Sequence, residues 1–60
     1  MISEKAKQAI INAVTEAHDH GDASVSIARR VAYAHGADPM SKDDEILIDK
    51  IRFETIYDLL

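Results

Sequence analysis

The sequence predicts an all-α fold, a small domain of three short helices associating through the last of them. Three observations lead there. Apolar residues recur at helical spacing in three separate segments. A residue suited to capping stands at the start of each segment, Ser3, then Asp22 or Ser24, then Ser41, and Gly21, Gly36 and Pro39 punctuate the intervals. No repeat or low-complexity tract interrupts the pattern, although the closing FETIYDLL contains β-favouring residues that could leave the final turn frayed or extended.

The first helix is expected over about residues 4–20. Ser3 can accept a hydrogen bond from an otherwise unpartnered amide of the first turn, and Glu4 suits the positive end of the dipole. Ala6, Ala9, Ile10, Ala13, Val14 and Ala17 then line one stripe, with Ile11 at its edge. Gly21 can take the left-handed conformation that ends a helix. The second helix, about 23–35, has Asp22 or Ser24 as cap and Gly36 as stop. Its apolar face holds Val25, Ile27, Ala28, Val31, Ala32, Ala34 and His35, and its opposite face Ser26, Arg29, Arg30 and Tyr33. Asp38-Pro39 then breaks the helix, because proline disfavours helical geometry in the residue before it. The third helix, about 42–58, starts from Ser41, with Asp44 placed as the second member of a capping box. Asp43, Asp44 and Glu45 crowd its first turn, where the dipole favours acids.

This last helix carries more hydrophobic side chain than one face can hold. At about 100° per residue, Leu47, Ile48, Ile51 and Leu59 gather on one side. Ile46, Phe53, Ile56, Tyr57 and Leu60 gather roughly opposite. One stripe can cover the chain's own core. The other must be buried by a second chain, by a central position in the fold, or not at all. These five residues are therefore the candidate partner or dimer interface.

Sixty residues make one domain, near the lower size limit for independent folding. Hydrophobic residues are 47% of the chain, but many of these are alanines and only three residues are aromatic. With no cysteine, no disulfide or thiolate metal site can supplement so thin a core. Association is a common remedy, so a homodimer, a larger protein partner, or both are expected. No apolar run reaches the roughly 18 residues needed to span a bilayer, and the polar faces are acidic rather than lysine-rich, which argues against membrane binding. The opening MISEKAKQAI lacks the hydrophobic region of a signal peptide, so a cytoplasmic location and a complete small product are the default expectations.

The net charge of −4 disfavours a general nucleic-acid binder, whose affinity comes from cations neutralising phosphates. The basic feature is the adjacent pair Arg29 and Arg30. With Ser26 and Tyr33 it forms a candidate surface for an anionic partner or DNA. Ala17, Gly21 and Ile27 match the spacing of a helix-turn-helix, but the usual apolar anchors fall on Glu16, His20, Asp22 and Arg30. A small DNA-binding regulator using residues 24–33 is the alternative to a protein-binding regulatory module. The acids of the third helix offer Arg29 or Arg30 a competing partner.

His18, His20 and His35, with Asp19 and Asp22, are the only residues resembling a metal set. On a helix the two rings of His18 and His20 diverge by about 200°, so no metal site is expected. His35 falls on the apolar face, where a hydrogen-bonded core position is expected. There is no cysteine nucleophile, glycine-rich phosphate loop or nucleophile elbow, so neither enzymatic activity nor a cofactor is expected.

Overall fold

The computed structural model describes residues 1–60 as three α-helices: α1 (Glu4–Asp19), α2 (Val25–Ala34) and α3 (Lys42–Leu59). Each packs against both of the others, and there are no strands. The three-helix, all-α architecture expected from the sequence is the one observed.

Each helix starts at a serine with extended backbone. The Oγ of Ser3, Ser24 and Ser41 accepts from the amides of Ala6, Ile27 and Asp44 respectively. Ser24, not Asp22, caps α2, so that helix begins two residues later than the sequence pattern suggested. Ala23 stays outside it, and its carbonyl accepts from Arg52 Nε of α3 at 2.9 Å.

The first two helices end in the same way. After α1, Gly21 N–H donates to His18 O at 3.0 Å and Asp22 N–H to Ala17 O at 2.8 Å. After α2, Gly36 donates to Tyr33 O at 3.2 Å and Ala37 to Ala32 O at 3.0 Å. These paired bonds satisfy terminal carbonyls and require a left-handed residue, which the glycines supply at φ 75° and 97°. The second turn also delivers Ala37 into the core beside Ala32. The following turn is closed by Ser41 N–H to Asp38 O at 3.0 Å, with Pro39 just inside it and Asp38 Oδ1 accepting from Met40 N–H.

Ile10 and Val14 from α1, Ala28 and Ala32 from α2, Ala37 from the turn, and Ile48 and Ile51 from α3 form the central cluster. Ala6 is buried as well, so four of the eight buried apolar residues are alanines. Alanines at 28 and 32 let α2 approach closely, and the fold closes to a radius of gyration of 10.4 Å. The large side chains in the middle are few. Ile10, Val14 and Ile48 are fully enclosed, each contributing about 1.5–3 kcal/mol of burial.

His35 departs from its expected core place. It is the residue at which α2 ends, it is exposed, and its Nδ1 lies 3.0 Å from Val31 O. Termination at Gly36 turns the chain before position 35 can face inward.

Candidate docking surface

The inward face of α3 runs through Asp44, Ile48, Ile51 and Thr55, a 4-3-4 spacing that keeps one helical phase against α1 and α2. Ile48 and Ile51 take the core positions expected of them. Leu47 and Leu59 do not: they lie to either side of this phase and remain 38% and 40% exposed. The phase passes instead through Thr55, whose hydroxyl donates to Ile51 O at 2.8 Å and so enters the core without an unpaired group.

Asp44 was expected to complete a capping box by reaching back to the Ser41 amide. Its own amide does donate to Ser41 Oγ, but the carboxylate turns the other way. Oδ1 accepts from the Met1 α-ammonium at 2.5 Å, and Oδ2 from Asp38 N–H at 2.9 Å. These bonds fasten the chain start and the α2–α3 turn to the first turn of α3. The ammonium bond, followed by the Asp38 amide, holds the carboxyl below its ordinary range despite the opposing effect of burial. Composition signalled only a helix start here; the partners are distant in sequence or set by the turn.

On the outward side of α3, Ile46, Phe53, Tyr57 and Leu60 are 61%, 66%, 69% and 92% exposed. Neither of the other helices covers them. Ile56, assigned to the same stripe, is half-buried and packs on the edge of the core cluster. α3 is therefore not a central helix enclosed on both sides. Its apolar residues surround its circumference because it has two different apolar faces, one of which the fold leaves open.

The surface expected around Arg29 divides. Ser26 and Arg30 are exposed, while Tyr33 is partly buried against the core cluster. Arg29 spans α2 and α3, with Nη2 donating to Glu45 Oε1 at 3.2 Å and Asp49 Oδ2 at 3.1 Å. Its guanidinium is held further in the charged form chiefly by the Asp49 hydrogen bond. Both contacts use a single nitrogen, leaving Arg29 Nε and Asp49 Oδ1 without partners. The acids of α3 thus neutralise the guanidinium that a phosphate would need, leaving Arg30 as the uncommitted cation of the pair.

An open groove of about 520 Å³ lies between α1 and α3, floored by Ile2, Ile11, Ile51 and Thr55. Charges of both signs border it, including Lys7, Lys50 and Glu54. No three His, Cys, Asp or Glu side chains come together in a metal-binding arrangement. No helix is long and apolar enough to cross a membrane.

The chain matches no protein-family model, no curated protein and no solved structure. What it can bind must be argued from these surfaces.

Proposed function

We propose that this chain is a small, non-enzymatic protein-binding module, regulatory or accessory in role, that docks through the outward face of α3. The observation that carries the reading is the uncovered stripe Ile46, Phe53, Tyr57 and Leu60. Isolated exposed apolar residues are ordinary, but two aromatics and two aliphatics along one helix form a contiguous patch of the kind that anchors protein interfaces. Charges of both signs border the stripe and would confine docking to one orientation. The mechanism is steric or scaffolding: the domain supplies a rigid helix face and no reacting group.

DNA binding through residues 24–33 has less support. Arg29 is committed to Glu45 and Asp49, and the net charge is −4.

A photoreactive phenylalanine derivative at position 53 tests the reading, with the same group at Arg30 for comparison. Irradiation in cell extract should give a protein adduct at 53, of whatever identity, and none at 30. Adducts confined to 30, or none at 53, would refute docking through α3.

A further inference from the structure

We infer that the occupant of the α3 face is a second copy of this chain, packed with the two α3 helices antiparallel about a two-fold axis near residue 52. This inference rests on the docking role of that face and names its partner.

The first support is area. With an aromatic side chain able to bury about 150–250 Å², Ile46, Phe53, Tyr57 and Leu60 at their observed exposures offer on the order of 500 Å² per protomer. A symmetric pair would cover about 1,000 Å², the threshold for a specific interface, before its polar borders are counted. A two-fold contact uses the same patch twice, so one stripe of this size meets the need of a small dimer without further surface.

The second support is charge order along the stripe. Ile46, Phe53 and Leu60 are seven residues apart and form one seam. On one border lie Lys50 and Glu54, 69% and 62% exposed and only loosely joined to each other at 3.9 Å. On the other lie Asp49 and, three residues on, Arg52. In an antiparallel pair each border faces its own copy with the direction reversed. Lys50 then meets Glu54 of the other copy on both sides of the axis, while Asp49 and Arg52 stay engaged within their own protomer, by Arg29 and by the Ala23 carbonyl. A parallel pair would instead set the two unlike borders against each other, and Lys50 would not meet Glu54 of the other copy. Arg29 already neutralises part of the Asp49 and Glu45 charge from within each protomer, which eases the approach of two acidic chains.

Charge reversal and cross-linking test the arrangement together. Lys50→Glu and Glu54→Lys should each weaken dimerisation by about tenfold or more, since two pairs turn repulsive at once, and the double exchange Lys50→Glu/Glu54→Lys should recover most of the loss. Both side chains are solvent-exposed, so circular dichroism should report an unchanged fold. The chain has no cysteine, so introduced thiols report on the interface alone. An equimolar mixture of Ile46→Cys and Tyr57→Cys should form the mixed disulfide, while Ile46→Cys alone should not pair with itself, being about 18 Å from its copy along the antiparallel helices. Efficient self-pairing of Ile46→Cys, or indifference to both charge reversals, would overturn the antiparallel pair. If position 53 cross-links only a different protein and the chain stays monomeric, the second-copy inference fails while docking through α3 stands; if position 53 cross-links nothing, docking itself fails.

Discussion

Ile48 and Phe53 stand five residues apart on α3, and truncating each to alanine should have opposite consequences. Ile48 is completely buried against α1 and α2, whereas Phe53 is 66% exposed. Ile48→Ala removes about three carbon groups at roughly 0.8 kcal/mol each and leaves a cavity, for a total of about 2–5 kcal/mol. A core of this size supplies only about 3–5 kcal/mol of net stability, so this variant should be largely unfolded at 25 °C. Phe53→Ala forfeits the buried third of its side chain but gains about 0.5 kcal/mol of helix propensity, so the monomer should change by no more than about 0.5 kcal/mol. Side-chain hydrophobicity alone predicts the reverse order. Urea titrations followed by far-UV circular dichroism at low micromolar concentration would measure both, and Ile48→Val, costing about 0.5–1.5 kcal/mol, provides a folded intermediate if the alanine variant cannot be melted. Equal losses for Ile48→Ala and Phe53→Ala in dilute solution would mean that α3 does not turn Ile48 inward and Phe53 outward.

Three further outcomes follow from the same structure. Gly36→Ala forces a side chain into a left-handed backbone at φ 97° and should cost about 1–2 kcal/mol, seen as a fall in Tm, although the added methyl group would meet no neighbour. Because the Asp44 carboxyl is held below its ordinary value near 3.8, its ionised form stabilises the fold at pH values above that, and this contribution should vanish as pH falls through the lower folded value; Tm measured from pH 5 down to pH 2 should drop more steeply for the native chain than for Asp44→Asn. Arg29→Ala releases Glu45 and Asp49 from their shared cation and should lower the urea midpoint more than Arg30→Ala, whose side chain holds nothing in place; equal midpoints would show that the α2–α3 bridge contributes no stability.

Local signals made most of the architecture legible. Ser3, Ser41, Gly21 and Gly36 act within a few residues of themselves, so their roles could be read directly from spacing, and the alanine-rich stripe of α1 has only one apolar side to present. The rotation of α3 was less legible because it has two apolar sides, and no local rule ranks them. The choice depends on how α1 and α2 fit around Ile48 and Ile51, and it sends Thr55 inward while leaving Leu47 and Leu59 at the margins. The partners of Asp44 were hidden for a related reason: Met1 lies 43 residues away, and the Asp38 amide reaches the carboxylate only once Pro39 has set the turn. Arg29 lay on the polar side of its own helix, yet that side meets α3, where the sequence had supplied acids as a rival partner. The exposed stripe itself was visible as an excess of large apolar residues, and what the fold adds is which of them remain uncovered.

The most direct test of a self-associating α3 face is the molar mass of the unaltered chain, measured by light scattering from low micromolar to millimolar concentration. The mass should rise from the 6.7 kDa protomer towards twice that value and level off there, with Phe53→Ala/Tyr57→Ala remaining at the protomer mass over the same range. A constant 6.7 kDa throughout for the unaltered chain would contradict the second copy and leave the stripe to a different protein.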